Sequence, residues 1–382
     1  MRKIFILYLV TLFILSCDVE NKSSNEKYIG DWYFEKELNS EKLKNSHPVH
    51  PYEKINFFII NDSILDFKSG FFYLIKDRFT LPDSTLEHRF SHYYLGTKTK
   101  YKIEKSNIIF FNKSENFWDT IKVLGISDNK IKVKNYNGRV FQLQKSENKS
   151  EFTTNEYDAI IVDRSPCFGS CPFNSTYINR NGDFYFKAYE SNTVYDNYHS
   201  KLDEETLRKI LMNFDKININ DLKNHYSLNA TDSQTNTISF IKNGEIIKTI
   251  ETYIECPIDL EKALNELSFA YQKVNIKYED NFSFRNKLMN TYFTGQNSKI
   301  YLKDSEFFLL EIELLKGKKS IKKFEEKYTL NFYEWTLKKT IKKITTDGQY
   351  YKIVYYDDTS KTIDLGYNFI EQNSIIKNNK YE

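Results

Sequence analysis

Residues 163–186 read DRSPCFGSCPFNSTYINRNGDFYF, and the fold of the middle of the chain follows from this stretch. Pro166 and Pro172 bracket two cysteines four positions apart, and a proline at either place stops a helix or a central strand. Residues 173–178 and 184–189 have strand composition, with Asn181-Gly182 between them. An Asn-Gly pair between two such runs signals a hairpin, because both central residues of a type I′ turn need positive φ. Upstream, residues 157–162 form an apolar strand. Downstream, the pattern predicts a helix over 204–214, capped by Asp203, with Leu207, Ile210, Leu211 and Phe214 on one face. A second hairpin, 235–241 and 245–252, turns at Asn243-Gly244. Pro257 then opens a helix striped by Leu260, Leu264, Leu267 and Tyr271. Hairpin, helix, hairpin, helix predicts a two-layer α/β sandwich over residues 155–275, both helices on one sheet face.

Flanking this domain, residues 28–148 read as many short strands separated by turn pairs such as Asn61-Asp62 and Asn137-Gly138, the pattern of an antiparallel β-barrel or meander. Residues 277–382 read as a smaller α+β module: a hairpin, a helix over 306–316 introduced by Ser305 and ended by Gly317, then further strands turning at Asp347-Gly348. The expected class is therefore multi-domain α+β. A 40% hydrophobic and 16% aromatic content in 382 residues is ample for packed cores.

The amino terminus has the layout of an export signal. Arg2 and Lys3 precede the apolar run 4–15, and small Ser16 stands before Cys17. As a helix the run reaches roughly 18 Å, short of the ~30 Å hydrocarbon core. Ile14-Leu15-Ser16-Cys17 resembles the lipobox of bacterial lipoproteins, which implies cleavage of residues 1–16 and acylation of Cys17. Each buried CH2 of such a chain contributes ~0.8 kcal/mol to anchoring. Residues 17–27 are polar and read as a tether. Asp18 and Glu20 resemble an inner-membrane retention signal under one sorting rule and a surface-export signal under another. The expected place is the cell envelope, the outer membrane before the inner, with either face open.

Removing Arg2 and Lys3 takes the formal net charge from +3 to +1, so no global field favours nucleic acid. Once Cys17 is acylated, Cys167, Cys171 and Cys256 remain in an oxidising or surface compartment. A disulfide needs Cα atoms about 5.5 Å apart, which four-residue spacing reaches if the chain turns at Gly169. A structural Cys167–Cys171 bridge is the leading expectation. Its rivals are thiol-disulfide catalysis, a zinc site with Cys256 as third ligand, and a bridge from Cys256 to one of the pair. Redox motifs of the thioredoxin type place the first cysteine at a helix N-terminus, whereas here a proline and a strand follow.

Ser165-Pro166-Cys167-Phe168-Gly169, then Cys171-Pro172, a strand and Asn181-Gly182-Asp183 resemble an uncharacterised bacterial envelope domain with the hallmark S/T-P-C-F-G-x-C-P, over residues 157–274. Glu255-Cys256-Pro257 departs from its more usual Gly-Ala-Pro-like start to the last helix. That resemblance implies a compartment and a fold but no activity. Gly30-Asp31-Trp32 resembles the G-x-W of lipocalin-like barrels, which implies a cup for a small apolar ligand. His47, His50, His88 and His92 can be imagined around zinc, but the spacing lacks accompanying acidic ligands, so no metal or other cofactor is expected.

The chain contains none of the G-x-S-x-G, H-E-x-x-H, G-x-x-x-x-G-K or G-x-G-x-x-G motifs, and no catalytic residue stands out. The expectation is a membrane-anchored envelope lipoprotein that binds a protein, glycan or small apolar ligand. The alternatives are an envelope enzyme, hydrolytic or thiol-based, and a lipocalin-like carrier.

Overall fold

The computed structural model describes residues 25–39, 57–59, 61, 63–67, 70–74, 92–135, 138–145, 156–168, 171–194, 196–229, 231–278, 292–296, 298–332 and 341–373. They fall into two compact units, Met1–Lys76 with Tyr94–Lys149, and Asp77–Tyr93 with Ser150–Glu382.

The first unit is a barrel. β1 (Gly30–Glu37), β2 (Phe57–Ile59), β3 (Ile64–Phe67), β6 (Lys98–Glu104), β7 (Asn107–Asn112), β8 (Phe117–Ile126), β9 (Lys130–Lys134) and β10 (Val140–Lys145) close in the order β1-β10-β9-β8-β7-β6-β3-β2. β4 (Phe72–Leu74) and β5 (His92–Tyr94) pair apart from it. Alternation along the strands supplies the inner face: Tyr101 faces Phe110, Ile108 faces Ile121, and Val133 lies between Val123 and Phe141, all pointing inward. Trp32 is fully buried and donates from Nε1 to the Tyr28 carbonyl at 2.8 Å. With Tyr28, Leu65, Phe71 and Leu143 these side chains make one continuous buried cluster, so the interior is filled by the barrel's own residues.

The second unit contains two sheets. β11 (Ala159–Arg164), β12 (Phe173–Asn179), β13 (Asp183–Glu190), β14 (Asp196–Lys201), β15 (His225–Ser227), β16 (Thr235–Lys242), β17 (Glu245–Tyr253) and β18 (Lys277–Tyr278) run in the order β15-β17-β16-β11-β12-β13-β14-β18. β19 (Tyr292–Thr294), β20 (Lys299–Tyr301), β21 (Lys318–Ser320), β22 (Tyr328–Asn331), β23 (Ile341–Thr346), β24 (Tyr350–Tyr355) and β25 (Ser360–Asp364) run as β20-β19-β22-β23-β24-β25-β21.

Among the described residues four α-helices accompany them: α1 (Glu204–Asp215), α2 (Ile258–Ser268), α3 (Asp304–Lys316) and the short α4 (Phe369–Gln372). Asp203 caps α1 by accepting from the Thr206 amide, and Asn243-Gly244 turns β16 into β17 with φ of 52° and 78°. α1 and α2 pack together, and α2 lies on β11 and β12. α3 carries buried residues all round, from Ser305 and Phe307 to Leu314. A helix apolar on every side needs cover on every side. Ala159, Ile161, Tyr177 and Ile241 of the first sheet cover it together with Phe293, Leu330, Ile344 and Ile353 of the second, in one cluster.

This arrangement corrects the expected balanced α+β class. Strands make up 48% of the structure and helices 19%, so the fold is β-rich, with sheets as its bulk and helices as filling and cover. The expected two-layer sandwich underweighted the run Ala159-Ile160-Ile161-Val162, which is buried throughout. Such a continuous apolar strand signals cover on both sheet faces, and α3 supplies the second. Ser305, expected to introduce α3, lies inside it, where its hydroxyl pairs with Ser239 at 2.8 Å; Lys303 takes the capping position. Gly317 does end the helix, but its φ is −64°. Glycine is required there by proximity, since a Cβ would lie 2.4 Å from Ile363 Cγ2.

Candidate functional site

β11 leads into the cysteine loop, and the structure bridges Cys167 to Cys171 with Cα atoms 5.7 Å apart. A glutamine not singled out in the sequence braces the loop. Gln234 Nε2 donates to the Ser165 carbonyl at 2.7 Å and to the Pro172 carbonyl at 2.8 Å, clamping both ends together. The Ser165 amide donates to the Thr235 carbonyl at 2.8 Å, and the Thr235 amide returns a bond to Ser165 Oγ at 2.9 Å. Arg164 holds Gln234 in place, donating from Nε and Nη2 to its Oε1 at 2.9 and 2.6 Å. The same guanidinium reaches Asn265 of α2 at 3.1 Å and lies 5.0 Å over the Phe269 ring.

This bracing presents Phe168, whose amide is fixed to the Asp232 carbonyl at 3.1 Å while its side chain is 87% exposed. Burying a phenyl ring stabilises by ~1.5–3 kcal/mol, and the loop forgoes that gain. A rigidly held, exposed aromatic is the physical form of an interface anchor, because little entropy is left to lose on binding. Nothing local in the sequence marks Gln234 or Asn265 as the braces. Phe168 was legible only as part of the motif, although an aromatic between cysteines in so tight a loop has no neighbours to bury it. Gly169 lies outside the described residues.

Behind the loop a polar row crosses the inner face of the sheet. Asp163 accepts from Ser175 Oγ at 2.5 Å, and Lys187 meets Glu311 of α3 at 2.8 Å, with exposures of only 5% and 3%. Burial, reinforced by the Glu311 and Asp163 carboxylates, pushes the Tyr189 phenol well above its ordinary range. Sealed from water, this row registers α3 against the sheet and offers no access to a substrate.

A cleft of about 360 Å³ opens at the turn end of the same sheet, lined by Asp158, Tyr177, Arg180, Asn181 and Glu313 among others. Its charged groups are already engaged. Arg180 bonds Asp215 at 2.8 Å and the Tyr157 carbonyl at 2.7 Å, while Glu313 accepts from Tyr367 at 3.0 Å. Burial pushes the Tyr177 phenol up to about 12. The volume sits at the low end of ligand pockets, and the paired charges make it a weaker candidate than the loop.

Cys256 stands outside the bridge, half-buried beside Pro257 at the start of α2. With Cys167 and Cys171 bonded to each other, neither sulfur is available as a thiolate or zinc ligand in this state. Cys17, His47, His50 and His88 lie outside the described residues, and of His92 only the backbone is described. Among the described residues no group of three His, Cys, Asp or Glu side chains is placed to hold a metal, and no helix is long and apolar enough to cross a membrane.

The class defined so far is a β-rich protein whose central sheet presents a disulfide-stapled aromatic loop. Residues 158–271, which contain that loop and its braces, match the family model of DUF6438, a domain of unknown function. No curated protein matches the chain.

Proposed function

We propose that the chain is a lipid-anchored cell-envelope lipoprotein that works as a binding module, with Phe168 on its stapled loop as the contact point for a protein partner. The observation carrying this reading is the exposed phenyl ring on a backbone held by a disulfide and by the two-ended Gln234 clamp. The export signal and the Cys17 lipobox support an oxidising compartment, where such a bridge persists. An outer-membrane place is favoured over the inner. The thiol-enzyme alternative loses support because β12 follows the pair, so no helix N-terminus lowers a thiol pKa. The carrier alternative loses support because the barrel interior is packed with its own side chains.

The test places a photo-crosslinking residue at position 168 in cells making the full chain. The expected result is a discrete protein adduct that disappears in Cys167→Ser/Cys171→Ser. Mass spectrometry of the same material should find diacylglycerol or a third acyl chain on Cys17. An unmodified leader in the membrane fraction, or free thiols at both loop cysteines, overturns the reading.

A further inference from the structure

The outer surface of the barrel carries a pattern that folding does not explain. On β8, Trp118 and Leu124 point outward and are each 48% exposed, beside the half-buried Phe111 of β7, whose ring meets Trp118 edge-on at 5.8 Å. Lysines flank this apolar strip on both sides. Lys98, Lys100 and Lys102 occupy the outward positions of β6, while Lys122 on β8 and Lys132 and Lys134 on β9 occupy the other flank. Lys122 lies directly opposite Lys134 across the ladder, an arrangement that destabilises a sheet. Among the described residues, Lys100, Lys122, Lys132 and Lys134 have no acidic partner. A groove of about 480 Å³ runs through the strip, lined by Ile64, Lys98, Lys100, Phe111, Lys113 and Trp118. Inside it the Lys113 ammonium is held to the Leu95 carbonyl at 3.2 Å.

Apolar groups able to enter an acyl boundary, bordered by cations whose alkyl stems snorkel, form the geometry of a surface seated on an anionic bilayer. Trp suits that boundary because one edge of its ring is apolar and the other carries an N–H donor. We propose that the β6–β9 outer face is a docking surface for anionic lipid headgroups. It seats the barrel on the membrane to which the Cys17 tether leads. Charge complementarity selects this occupant, and the +1 net charge of the chain without Arg2 and Lys3 means that the pull comes from local charge rather than from a field of the whole molecule. The inference rests on the envelope reading for its biological setting, but its physical content does not depend on acylation.

The test uses the chain from residue 18 onward, which lacks lipid and includes every described residue. It should sediment with vesicles rich in phosphatidylglycerol and not with phosphatidylcholine vesicles. Binding should weaken at least tenfold in Trp118→Ser/Leu124→Ser and on raising salt from 50 to about 300 mM. Lys122→Glu is the sharpest variant: by pairing with Lys134 it should raise the thermal midpoint of the barrel while weakening vesicle binding. Lys319→Glu, with the same charge change on an exposed β21 residue of the other unit, should bind like the parent. Equal binding to both vesicle types, an unchanged Lys122→Glu, or preferential binding of a single-stranded oligonucleotide or soluble polyanion overturns the proposal. Failure here leaves the Phe168 crosslink and Cys17 acylation free to succeed, and the reverse holds equally.

Discussion

Single side chains set the energetics of the inner face. Lys187 and Glu311 are buried together, and removing one partner strands the other charge in a low-dielectric interior at a cost of about 3–5 kcal/mol. Lys187→Met should therefore lower stability by that amount in denaturant titration. Lys187→Met/Glu311→Leu should recover most of it, because an apolar pair of similar volume carries no desolvation cost. The buried phenols give a second expectation. Tyr177 ionises near 10 when unfolded and only at about 12 when folded, chiefly through burial. A group raised in this way contributes stability that is intact below pH 10 and lost as pH climbs through the folded value. Thermal midpoints should fall between pH 10 and 12, and Tyr177→Phe should flatten that fall by on the order of 2 kcal/mol. None of this was legible in the sequence. A strand lysine and a helix glutamate look solvated until the topology places one against the other.

At the scale of elements, local chemistry carried most of the information. Asp203 as a cap, Asn243-Gly244 as a turn and Pro257 as a helix start each act within a few residues, and each is found where its chemistry puts it. The layering was less legible, because α3 receives cover from strands on both sides of it in sequence. Leu310, fully buried on α3, tests that role: Leu310→Ala should cost about 2–5 kcal/mol. Amide exchange should then accelerate on both sheets of the second unit together. Exchange confined to one sheet would show that α3 does not couple them.

At the scale of the molecule, two compact units, each with a buried cluster of its own, predict two calorimetric transitions. Leu143→Ala should lower one and Leu310→Ala the other. Reducing the loop should affect only the second unit, and by about 2 kcal/mol, since the bridge closes a short loop with a sequence separation of 4. A barrel or meander was foreseen from many short strands separated by turn pairs, and the strands close into a barrel. Its filled interior was not, because the choice between a cup and a plug depends on strand register and side-chain volume together. The candidate site was half legible: the cysteines and prolines announced a fixed loop, but its clamp comes from Gln234 and Asn265, which the chain reaches much later.

The position of α3 between its two sheets also orders events at birth. Whether from a ribosome or from an export pore, the chain emerges amino end first, so β11, β12 and β16 appear before residues 304–316 and Ala159, Ile161, Tyr177 and Ile241 stay uncovered through that interval. A nascent chain halted just short of α3 would display a greasy palm, and chaperone holdases should grip it until the missing helix emerges and the palm closes.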